Sequence, residues 1–173
     1  MKQYAALFRI LYVYWKVYGG ARAILTSPYF HLAIIMAAVA YPLWLRSNEW
    51  TSITLGALPN ILGFSIGAFA VILSFGQDSL ERLKDKNEAE SRYLGVIASF
   101  VHFIVVQTVA LLIGFIGKAW PNSILGYIGS VITVYAIALA VAGAFRLFRL
   151  ARVYNQMTGS QPPTNNQNPD QED

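Results

Sequence analysis

The chain has 173 residues, of which 55% are hydrophobic and 13% charged, with a mean hydropathy of +0.45, a composition suited to a bilayer rather than to water. Its net charge of +4 is spread along the edges of apolar runs instead of being gathered on one face, which points to anionic lipid and away from nucleic acid. Without cysteine there are no disulfides, thiolate metal sites or cysteine nucleophiles.

Residues 1–27 read as a retained amphipathic helix and linker. On a helical wheel Tyr4, Phe8, Leu11, Trp15 and Tyr18 share a narrow arc, and Lys2, Arg9 and Lys16 recur every seven residues on the opposite side. That pattern predicts a helix lying flat on the membrane with its cations at lipid headgroups; an amphipathic helix packed on a partner is the alternative. Gly19 and Gly20 should end it, because glycine readily takes the left-handed conformation. Arg9, Lys16 and Arg22 also interrupt any signal-peptide core.

A four-span domain follows over residues 28–154, with spans expected at about 29–46, 55–76, 93–117 and 123–146. The apolar runs behind them contain no Asp, Glu, Lys or Arg, and a bilayer core of about 30 Å takes roughly 20 helical residues. The first run, Tyr29 to Leu45, is the marginal one. Ser27 and Pro28 suit its N-cap and first turn, and the Arg46 stem can extend its far end. The loop after it is short and polar, with Trp50 placed for the interface. The second connection alternates Asp78, Glu81, Asp85, Glu88 and Glu90 with Arg82, Lys84, Lys86 and Arg92, spaced for helical ion pairs. It should prolong the second span as a helix, either as a solvated connector or as a docking surface for a cytosolic protein through Arg82, Lys84 and Lys86. Trp120 and Pro121 mark a tight turn between the third and fourth spans. Arg146, Arg149 and Arg152 then place three cations at helical spacing to grip lipid phosphates. From Asn155 the composition turns to Gln, Asn, Pro and Asp, so 155–173 is expected to be a disordered tail.

Eleven of the thirteen basic residues fall before the first span, in the second connection or after the fourth; only Arg46 and Lys118 lie on the other side. The positive-inside bias therefore predicts a multi-pass protein of the inner, cytoplasmic membrane with both termini in the cytoplasm.

Within the spans, Gly56, Asn60, Gly63, Gly67, Ala70 and Ser74 recur at steps of four and three, giving one face of small or polar side chains with a GxxxG pair. Gly126, Ser130, Thr133, Ala136, Ala140 and Ala144 repeat the pattern in the fourth span, and Gly95, Ser99, His102, Ala110 and Gly117 approximate it in the third. Three such faces imply a compact bundle and favour a homo-oligomer. The stripe in the second span is either a seam against the third or fourth span or the wall of a narrow, weakly selective pore at the axis of an oligomer. His102 and Gln107 are buried polar groups that need partners: Ser99 or a carbonyl for a structural His102, whose alternative role is to sense or relay protons, and a neighbouring helix for Gln107. His31 suits the cytoplasmic interface.

Gly63 to Gly67 also matches G-x-S-x-G, but an apolar helix cannot form the strained elbow of a hydrolase. Ser65 and His102 both fall roughly 15 Å deep, so an intramembrane serine hydrolase is a remote alternative. Against it, Ser65 points away from Gly63 and Gly67, and no acid or oxyanion donor accompanies the pair. No nucleotide loop, zinc pattern or dinucleotide fingerprint occurs, so neither cofactor nor metal is expected. The expectation is thus an all-α membrane four-helix bundle with a non-enzymatic role: forming or gating a small pore with the second span near its axis, or an anchor or sensor subunit that docks a cytosolic partner through 76–92 and the basic segment 146–152.

Overall fold

The structure, a computed structural model, describes residues 2–82 and 88–159. They form seven helices in order: α1 (Lys2–Tyr18), α2 (Gly20–Leu25), α3 (Pro28–Val39), α4 (Tyr41–Leu45), α5 (Trp50–Arg82), α6 (Glu88–Ala119) and α7 (Ser123–Gly159). The fold is all-α, as the periodicity predicts. Three stretches are long and apolar enough to cross a membrane: Trp50–Ser74, Gly95–Ala119 and Ser123–Arg149. α7 is the hub, packed against α3, α4, α5 and α6, while α1 lies on α6.

The first expected span is not one helix. α3 has 12 residues, about 18 Å at 1.5 Å per residue, and the chain turns at Ala40 before α4 begins. Pro42 is the cause, because it has no N–H to offer the preceding turn. The Ala37 carbonyl, which residue 41 would hold in a continuous helix, instead accepts a hydrogen bond from Trp44 Nε1 at 2.8 Å. Phe30 meets Tyr135 edge-on at 5.6 Å and Trp44 meets Tyr127 at 5.3 Å. Since Tyr135 lies near the midpoint of the 27-residue span in α7, α3 and α4 line only the half of that helix nearer Ser123. The bundle therefore has three full-length helices and one broken, half-length partner.

Trp50 begins the α5 span, and its ring turns inward. It is 3% exposed, with its ring wedged between α6 and α7 over Gly117 and Gly129, where a Cβ would overlap the indole. The same end is tied by Asn48, which takes a left-handed φ of 54° and donates from Nδ2 to the Gly117 carbonyl at 3.4 Å. Asn122 caps α7, its Oδ1 accepting from the Ile124 N–H at 2.8 Å.

Below this, Leu58, Ala110 and Ala136 bring α5, α6 and α7 into contact. A larger core joins Ala33 and Ala37 of α3, Ile72 of α5, Phe100 and Phe103 of α6, and Leu139 and Ala142 of α7. α5 does run past the membrane segment to Arg82 as a helix. The expected docking residues Lys84 and Lys86 lie outside the described residues. α7 continues to Gly159, five residues into the stretch expected to be a tail; 160–173 lie outside the described residues.

Candidate functional site

The densest polar chemistry lies where α1 crosses α6. Gly19 and Gly20 have φ values of 101° and 65°, so the chain reverses there and leaves Tyr14 and Tyr18, one helical turn apart, facing the bundle. Both reach His102, which is 1% exposed. Tyr14 Oη lies 2.6 Å from Nδ1, Tyr135 Oη lies 3.2 Å from Nε2, and the Tyr18 ring stacks on the imidazole at 3.8 Å between centroids. Whichever ring nitrogen carries the proton, both have a phenol as partner; in the Nε2–H tautomer Tyr14 O–H donates to Nδ1 and Nε2–H donates to Tyr135. Ser27, the expected N-cap of α3, makes no side-chain cap hydrogen bond there. Burial, followed by the neighbouring Tyr18, pushes the Tyr14 phenol up to about 12, so it is a neutral donor at physiological pH.

Neither expected partner of His102, Ser99 or a carbonyl, holds it: the Ser99 hydroxyl donates to the Gly95 carbonyl at 2.7 Å and accepts from Arg146 Nη1. Arg146 is therefore engaged by a side chain of α6, and like Arg149, Arg152, Arg9 and Lys16 it is exposed. The side chain of Lys2 is outside the described part. Gln107 bridges helices as anticipated, donating from Nε2 to Ser65 Oγ at 3.0 Å; its Oε1 is buried with no hydrogen-bond partner. Ser65 is thus held by Gln107 and both His102 nitrogens by tyrosines, so the geometry brings no serine–histidine pair together. Thr54 and Thr133 join α5 to α7 through a 2.8 Å hydroxyl contact.

The small-residue faces divide sharply. On α7, Gly126, Ser130, Thr133 and Ala136 are buried, Ala140 is partly covered and Ala144 is exposed. On α5 the face made by Gly56, Asn60, Gly63, Gly67, Ala70 and Ser74 is exposed throughout. A Cβ added at Gly56, Gly63 or Gly67 meets nothing within 4 Å. The expected seam within one chain is therefore absent; Thr54, Leu58, Ser65, Ala68 and Ile72 on the opposite side form it instead. Among the described residues Asn60 Nδ2 donates to its own helix, the Gly56 carbonyl at 3.5 Å. Ser74 donates back to Val71 at 2.8 Å.

Beside His102 lies an open-sided groove of about 780 Å³. α1 supplies Phe8, Leu11 and Trp15 to its walls and α6 supplies Val105 and Val109, with Tyr14, His102 and Tyr135 at its polar end. The sequence offered His102 but neither this groove nor its three tyrosines. The i, i+4 spacing of Tyr14 and Tyr18 was the available signal, and it reads equally well as an interfacial aromatic face.

Compared with known proteins, the chain matches no family model, no curated protein and no solved structure.

Proposed function

We propose that this is a non-enzymatic, self-associating protein of the cytoplasmic membrane, whose copies pack through the Gly56–Ser74 face of α5 and enclose a narrow pore along it. The observation that carries the reading is the openness of that face. The interior is filled by other residues, and only 22% of the α5 span is buried, against 39% for α6 and 44% for α7. In lipid, helices associate by close backbone approach and interhelical hydrogen bonds. Gly56, Gly63 and Gly67 offer the first, and Asn60 the second. Copies meeting here would line their axis with Asn60, Ser74 and bare backbone and with no charge, which favours small solutes and weak selectivity. For the three full-length spans the orientation follows the basic residues: Arg46 and Lys118 outside, those after α5 and at the end of α7 in the cytoplasm.

Subunit stoichiometry in nanodiscs tests the assembly, and solute flux in liposomes tests the pore. The wild type should be oligomeric and conducting, and Gly63→Leu with Gly67→Leu should leave a folded, silent monomer. A wild type that remains monomeric at high protein-to-lipid ratio rules the proposal out.

A further inference from the structure

The apolar stretch of α7 ends at Arg149, and Arg146, Arg149 and Arg152 are all exposed there. Among the described residues no carboxylate pairs with any of them. Phe145 and Phe148, 63% and 68% exposed, stand four residues before Arg149 and Arg152, so each ring shares a helix face with the cation one turn beyond it. The ring lies toward the membrane core and the cation toward water. A phospholipid has the same polarity, hydrocarbon first and phosphate after. Arg146 is further constrained: its Nη1 donates to Ser99 Oγ, and Ser99, 4% exposed, is fixed in turn by donating to the Gly95 carbonyl at 2.7 Å. We propose that this edge of α6 and α7 binds one anionic phospholipid, its phosphate on Arg146 and Arg149 and an acyl chain on Phe145, with Ser99 as the positioning residue.

Charge complementarity names the occupant. Arg146 and Arg149 are neighbours at i and i+3 on α7, close enough to share one phosphate, and the planar guanidinium matches phosphate oxygens two at a time. Basic residues at the end of a span meet the anionic lipids of the cytoplasmic leaflet. A zwitterionic headgroup carries its own ammonium, which offsets part of the attraction. An acidic peptide arriving from water would bring the charge but nothing to lay on the exposed Phe145. Three freely moving arginines would attract anionic lipid only diffusely. Because Ser99 already holds Arg146, the rotamer entropy of that long side chain is lost on folding rather than on binding. Part of the diffuse attraction becomes a discrete site.

The full chain in detergent is titrated with phosphatidylglycerol or phosphatidylcholine, and the lipid bound per chain is counted by native mass spectrometry. One phosphatidylglycerol per chain should bind before any other lipid, and phosphatidylcholine should show no such first step. Arg146→Gln with Arg149→Gln should remove the step. Arg9→Gln with Lys16→Gln takes the same charge from exposed positions on α1 and should leave it intact. Ser99→Ala keeps every charge; it should weaken the first phosphatidylglycerol about five-fold, the cost of immobilising one long side chain on binding, and leave phosphatidylcholine unaffected. A merely structural Ser99 would alter both lipids alike. Inorganic phosphate exchanged for chloride at constant ionic strength should not compete, since it has no chain to place on Phe145. Equal first steps for the two lipids, equal losses in the two double variants, an unchanged or lipid-independent effect of Ser99→Ala, or competition by inorganic phosphate overturns the proposal. Counting per chain keeps the result apart from the pore reading.

Discussion

Alanine at Gly117 and alanine at Gly63 should have opposite effects, although both glycines lie in apolar helices and look alike in the sequence. At Gly117 the new methyl would overlap the Trp50 indole, which cannot retreat because Gly129 and α7 lie against its other side. Overpacking of this kind costs about 1–3 kcal/mol, and a clamped aromatic ring belongs near the top of that range. Replacing glycine in a helix returns about 0.5–1 kcal/mol, leaving a net loss of about 1–2 kcal/mol. At Gly63 the methyl meets nothing within 4 Å, so only the gain remains in a monomer. The two variants should therefore differ by about 2–3 kcal/mol. Reversible unfolding in mixed micelles, under conditions that keep the protein monomeric, measures the difference directly. Gly117→Ala combined with Gly129→Ala should cost less than the sum of the two, since one ring yields to both. A Gly117→Ala protein as stable as wild type, or a Gly63→Ala protein equally damaged, would refute the placement of Trp50 and the outward direction of the α5 stripe.

Two further outcomes follow from the polar contacts. Gln107→Leu alone should destabilise by about 1 kcal/mol, leaving Ser65 without its partner, whereas Gln107→Leu with Ser65→Ala should be close to neutral because both members of the pair are gone; thermal unfolding of the single and double variants in detergent decides it. The Tyr14 contribution to docking of α1 should depend on pH. Its phenol is raised in the folded chain to about 12 from the ordinary value of 10.0, so its contribution is complete below pH 10 and is lost as pH rises from there through about 12. Protease accessibility of the Gly19–Gly20 hinge across that window should rise in the wild type and stay flat in Tyr14→Phe.

Much of the architecture was legible because it depends on local patterns. The apolar runs set α5, α6 and α7. Gly19 and Gly20 ended α1, and Trp120 with Pro121 marked the turn before α7. The interruption of the first span was also written locally, in Pro42, but a hydropathy average is blind to a missing N–H, so Tyr29 to Leu45 read as continuous. The wheel correctly placed Ser65 opposite Gly63 and Gly67. What it could not assign was which of the two sides faced the bundle. Small residues permit close approach wherever they occur, and the interior had been claimed by Thr54, Leu58, Ala68 and Ile72, whose fit to α6 and α7 depends on their neighbours.

The amino-acid order by itself therefore determined the helical class, the membrane as solvent and the uneven distribution of cations, because hydropathy, helix period and charge are properties of single residues and short spacings. Tertiary structure decided the partners: Tyr14 and Tyr135 for His102, Ser65 for Gln107, Arg146 for Ser99, and no covering for Gly56, Gly63 and Gly67 of α5. Those contacts join residues separated by 33 to 88 positions. No periodicity within a helix carries information about what lies across from it.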